Sequence, residues 1–150
     1  MSDESSRAIQ RILSGVINNG ALVIRTLGSL ASLNTVQTLN NAGAITYSGA
    51  LLNGALILRD PNGAARTDVL PTAAQIVAAI GSAVGATASF AIRNTADAAE
   101  TITVSGGTGV TLSGTMTIAQ NNTRLFISQV TNGTSGAEAV TIYSVVSGTH

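Results

Sequence analysis

The sequence predicts an all-β domain, an antiparallel β-sandwich or barrel, with one short helix after a central hinge and an N-terminal segment patterned as a helical arm. Three observations carry this expectation. From Ala86 onward, apolar residues alternate with Thr and Ser in short runs, which is the period of a half-buried strand. Turn signals punctuate those runs at Gly106–Gly109, Gln120–Asn122 and Asn132–Gly136. Charged residues make up only 9% of the chain, against roughly 25% in ordinary soluble domains. Thr-rich faces keep strand propensity without adding charge.

The chain divides into an N-terminal arm and connection, residues 1–40, and a β-domain, residues 41–150, whose hinge and short helix lie at 59–80. In Ser5–Ile17 the apolar residues Ile9, Ile12, Leu13, Val16 and Ile17 share one helical stripe opposite Arg7, Arg11 and Ser14. Asp3 and Glu4 suit a helix N-terminus, and Asn18-Asn19-Gly20 would stop the helix. Such a stripe docks either on its own domain or on a neighbouring subunit. Ala21–Arg25 reads as a short strand and Gly28–Asn41 as a connection with weak strand character.

Ala44–Leu58 is assigned as strand, with Gly49 and Gly54 marking bulges or close backbone approach. Asp60-Pro61-Asn62-Gly63 is a turn, since Pro pre-sets its backbone angle and Asn-Gly tolerates positive φ. Thr72 and Gln75 have the spacing of a capping box, Ile76, Val77 and Ile80 supply an apolar helix face, and Gly81 ends the helix. Val110–Ile118 reads as one bent strand or a tight hairpin around Gly114. No larger repeat is visible in the chain.

Composition restricts the chemistry. The seven basic residues are all arginine and balance seven acids, which leaves no electrostatic footprint for nucleic acid. Aromatic residues are 3%, so stacking platforms for bases or sugars are few. There is no cysteine, and the one histidine is His150 at the end of the sequence. A catalytic base needs held geometry and an orienting partner, so no catalytic, cofactor or metal residue is assigned and the chain is read as a non-enzyme. Asp97 and Glu100, in a loop between strands, are read as a solvated turn. Asp60 and Asp68 bracket the hinge with Arg59 and Arg66, and an Arg–carboxylate pair locking the loop is favoured over calcium ligation. Gly106-Gly107-Thr108-Gly109 lacks the lysine of a phosphate loop. The acidic start does not fit a secretion signal, and neither uncharged window, Thr26–Leu58 or Val69–Ile92, makes a convincing transmembrane helix.

Several stretches resemble a pattern found in structural proteins of tailed bacteriophages, the capsid decoration or cement family. The matching positions are Arg59–Gly63, Thr67–Ala73, Asn94–Thr95, Thr101–Thr103, Gly107–Thr115, Ala119–Phe126 and Glu138–Tyr143, covering roughly Ala44–Ser144. The resemblance implies a virion protein on the capsid exterior, assembled in the host cytoplasm, forming a homotrimer and stabilising the head by binding the major capsid protein. It implies neither nucleic-acid nor membrane partners. Ile9, Ile12, Leu13 and Val16 are the candidate contacts of the arm, and Arg59 and Arg66 those of the hinge. Two alternatives stand beside this expectation: a fibre, knob or tail component that binds a host receptor, and a small β-barrel enzyme or carbohydrate-binding module.

Overall fold

The computed structural model describes residues 35–149. The helical stripe assigned to Ser5–Ile17, the strand at Ala21–Arg25 and His150 lie outside them. Nine strands carry the described fold: β1 (Thr35–Asn40), β2 (Ala55–Asp60), β3 (Arg66–Val69), β4 (Thr87–Asn94), β5 (Ile102–Ser105), β6 (Val110–Ser113), β7 (Thr117–Ile118), β8 (Asn122–Asn132) and β9 (Ala139–Thr149). One helix, α1 (Ala73–Ile80), and a single 3-10 turn, Gly49–Leu52, complete it. The all-β expectation holds at this level. Thr35–Asn40 is a strand of the domain, so the β-domain starts before the boundary expected at 40/41.

The strands form a six-stranded sheet in the order β1-β2-β4-β8-β9-β6 and a three-stranded sheet in the order β3-β5-β7. An antiparallel arrangement was expected, and here the structure differs. β1/β2, β2/β4, β3/β5 and β6/β9 are parallel; β4/β8, β8/β9 and β5/β7 are antiparallel. Three of these parallel pairs, β1/β2, β2/β4 and β3/β5, arise because the chain repeats one manoeuvre. β2 turns a corner into β3, and β4 turns a corner into β5. β2 lies beside β4 in the large sheet while β3 lies beside β5 in the small one. β1 precedes them in the same sense, since Thr46 makes a parallel bridge to Val69 after the corner. Three strand–corner–strand turns are therefore stacked, and the second returns through α1. Their return paths differ in length, which is why no fixed period shows in the sequence.

Strand alternation places the core. β2 and β5 read as alternately buried and half-buried, and β4 and β8 adopt the same alternation toward their C-terminal ends. Ile57, Phe90, Ile92, Phe126, Val130, Val140 and Ile142 of the large sheet share one buried cluster with Ile102, Val104 and Ile118 of the small sheet. The rings of Phe90 and Phe126, directly opposite across β4/β8, stack with centroids 5.0 Å apart. The capping box at the start of α1 is present as expected: Gln75 N donates to Thr72 Oγ1 at 3.3 Å, and Thr72 N donates to Gln75 Oε1 at 3.0 Å. Ala73, Ile76 and Val77 press the helix onto the shared core.

The run Val110–Ile118 is neither of the two shapes expected. β6 pairs with β9 in the large sheet, whereas β7 pairs with β5 in the small one. The chain changes sheets at Gly114, whose φ of 93° suits glycine and whose missing Cβ leaves room for the β9 backbone at Ser144.

Candidate functional site

The hinge between β2 and α1 holds most of the charge in the centre of the chain. Its first job is the corner. Asp60 Oδ1 accepts from Asn62 N at 2.8 Å, and Asn62 and Gly63 take φ of 49° and 97°. This is the turn that Asp-Pro-Asn-Gly chemistry calls for.

Below the corner lies a buried ionic cluster. Arg59 and Asp68 are both 0% exposed, and Tyr47 is 2% exposed. Arg59 Nε donates to Asp68 Oδ2 at 2.8 Å and Nη2 to Oδ1 at 3.1 Å, a bidentate pair. Nη1 donates to the carbonyls of Asn41, at 2.9 Å, and of Asp60; Nη2 also donates to Gly43 O at 2.8 Å. All five N–H groups of a guanidinium are thereby engaged. The Asp68 carboxylate also accepts from Tyr47 OH at 2.9 Å and from Ile45 N at 3.1 Å. Burial above all, and then the adjacent Asp68 carboxylate, push the Tyr47 phenol far above its ordinary value.

The partners come from two successive turns of the stack. Asn41, Gly43, Ile45 and Tyr47 follow β1; Arg59 and Asp68 sit at the end of β2 and within β3. An isolated charge pair at this depth would be costly, and satisfaction of every donor offsets that cost. The cluster joins the corners together.

This geometry sorts the candidate residues. The Arg–carboxylate lock expected at the hinge is present, formed by Arg59 and Asp68. Arg59 as a partner contact is corrected: the side chain is fully enclosed, because Asp68 and three carbonyls draw it inward. Arg66 is half-buried at the start of β3, with Nε donating to Pro61 O at 3.4 Å, and it keeps access to solvent. Ile9, Ile12, Leu13 and Val16 lie outside the described residues. Glu100, expected in a solvated turn with Asp97, is only 7% exposed; Asn94 Nδ2 donates to its carbonyl at 2.7 Å and pins the loop. Among the described residues, no three of His, Cys, Asp and Glu gather to hold a metal ion. No helix there is long and apolar enough to cross a membrane.

Compared with protein-family models, characterised proteins and solved structures, the chain matches none.

One surface was missed by pattern reasoning. The expectation of Thr-rich outer faces holds at Thr87, Ser89, Thr111 and Thr141 and fails where Ala91, Leu125 and Ile127 stand outward. Register and alternation put Leu56, Leu58, Ala91, Leu125 and Ile127 on the face away from the core, with Val36 beside them. None of these residues belongs to the core cluster or to the apolar fringe packed on it. The run Ala55-Leu56-Ile57-Leu58 was the available signal, since a strand apolar on both sides expects cover on both faces.

Proposed function

We propose that this chain is a structural virion protein that binds the outer capsid surface and stabilises the head by bridging capsomers, as a homotrimer. The two-layer body is read as a sandwich. The observation that carries the proposal is the use to which the phage-like residue pattern is put. Arg59 and Asp68 form the buried lock, and Asn62 and Gly63 shape the corner. Thr72 caps α1, and Asn94 holds the Glu100 loop and accepts its turn from Ala96 N at 3.0 Å. Gly107 lets the loop before β6 lie against the carbonyls of Leu70 and Pro71. Each of these residues of the pattern serves rigidity. A body so tied, low in charge and with a broad apolar sheet face, suits a role in an assembly under mechanical load.

The contacts assigned to the major capsid protein are Ile9, Ile12, Leu13 and Val16 of the arm and Arg66 at the hinge. Additive burial at repeated copies would supply the stabilisation, since interfaces of roughly 1,200–2,000 Å² are ample for stable association. The direct test is to image intact particles and locate this chain. A regular array over the shell supports decoration. A few copies at one vertex or on the tail would favour a receptor-binding fibre, whose trimeric β architecture is compatible with the same fold.

A further inference from the structure

We infer that a second copy of this chain covers the outer face of the six-stranded sheet, so that this face is the contact between the copies of a homo-oligomer. The inference rests on the oligomer within the proposed function, and not on the capsid.

The face comes first. In register across four neighbouring strands, Val36 of β1, Leu56 of β2, Ala91 of β4 and Leu125 of β8 form one row on the side away from the core. Leu58 lies on one flank of that row, and Ile127, opposite Tyr143 of β9, lies on the other. Val36 is 57% exposed and Tyr143 38% exposed. Polar residues bound the belt at both ends, Thr38 and Asn40 at one and Thr87, Gln129 and Thr141 at the other. An apolar centre with a polar rim is the anatomy of a protein interface. β1 itself is unguarded: it stands at the sheet edge, is exposed on both sides except at Leu39, and carries no charge, proline or bulge. Edge strands that stay in solvent are normally blunted by such devices.

Charge, level and size select a copy of the same face as the occupant. Among the described residues the face carries Arg93 of β4 and Asp60 of β2, one charge of each sign, and neither joins an ion pair there. Arg93 Nε is buried and has no hydrogen-bond partner among the described residues, and the Asp60 carboxylate accepts from Asn62 N within its own turn. Arg93 is level with Leu58, and Asp60 lies two residues further along β2, about 7 Å away. A rotation axis running along the strands therefore sets belt against belt and brings Arg93 of one copy within reach of Asp60 of the next, as in a closed ring of copies. Six strands about 4.8 Å apart and the eight residues of β4 at about 3.3 Å each give a face of roughly 600 Å² in projection. Side-chain relief raises that toward the roughly 800 Å² per partner of a standard interface. Zero net charge adds no long-range repulsion between copies.

The test is sedimentation velocity of the full chain over a dilution series from micromolar upward, with far-UV circular dichroism to verify the fold of each variant. The chain should associate. Leu125→Asp should weaken association at least about thirtyfold, because it places a carboxylate among apolar side chains at the contact. Arg93→Glu should weaken it about tenfold by setting like charges where opposite ones meet. Thr67→Asp, on the exposed side of the small sheet, should leave it unchanged. A full chain that stays monomeric at every concentration would overturn the inference. An oligomer that persists in both Leu125→Asp and Arg93→Glu would overturn this interface while leaving the homotrimer standing. Particle occupancy is a separate readout, so failure here is distinguishable from failure of the decoration proposal.

Discussion

Asp68→Asn is the substitution that most sharply tests how this fold is held together. The carboxylate accepts four hydrogen bonds, from Arg59 Nε, Arg59 Nη2, Tyr47 OH and Ile45 N, all at 3.1 Å or less. Asparagine keeps the shape, but removes the charge and turns one acceptor atom into a donor facing other donors. The Arg59 guanidinium would then be buried, fully enclosed and without its counter-ion. Breaking one side of a buried pair costs about 3–5 kcal/mol. For a domain of this size that lowers Tm by roughly 10–15 °C. Urea unfolding should show the midpoint fall with the slope preserved, meaning that stability and not compactness has changed. Replacing both partners, Arg59→Met with Asp68→Leu, should recover part of the loss, because no orphaned charge remains. If Asp68→Asn costs less than about 1 kcal/mol, the cluster does not join the corners and the reasoning fails.

Tyr47→Phe should cost about 1–2 kcal/mol at neutral pH by removing one hydrogen bond to the buried carboxylate. The pH dependence has a definite sign. Folding holds the phenol neutral above its ordinary value near 10, so the stability it contributes is complete below about pH 10 and is lost as pH rises further. Tyr47→Phe should therefore flatten the loss of stability between about pH 10 and 12 in alkaline denaturation curves. Gly133→Ala should destabilise by about 2–4 kcal/mol in urea titration, because a Cβ there would run into the Ser82 carbonyl and force two backbones apart. Thr72→Ala should cost about 1 kcal/mol by the same measurement, through loss of the cap on α1. Arg66→Ala should change stability by less than about 0.5 kcal/mol and lower occupancy on particles in a binding assay, if Arg66 meets the capsid partner.

The parts of the fold written in neighbouring residues were legible. The Asp60–Gly63 corner, the Thr72–Gln75 cap and the alternation of Phe90, Ile92, Ile102 and Val104 each depend on chemistry within a few positions. Pairing was not legible, because alternation fixes which side of a strand faces inward but not which strand lies beside it. Parallel stacking of β1, β2 and β4 and the change of sheet at Gly114 are long-range choices of that kind. Leu125 and Ile127 look like core residues, yet Phe126, Ser128 and Val130 point inward, and the larger ring of Phe126 takes the core. At the hinge, the sequence pointed to an Arg–carboxylate pair but not to its depth, because burial of Arg59 depends on carbonyls from a different turn of the stack.

The position of this chain in an intact particle tests the decoration proposal most directly. Electron cryomicroscopy of purified particles, with the chain quantified by mass spectrometry, is the measurement. The decoration proposal predicts a regular array of trimers on the outside of the head, each bridging neighbouring capsomers. Density confined to a vertex or tail, or particles that lack the chain altogether, would contradict it.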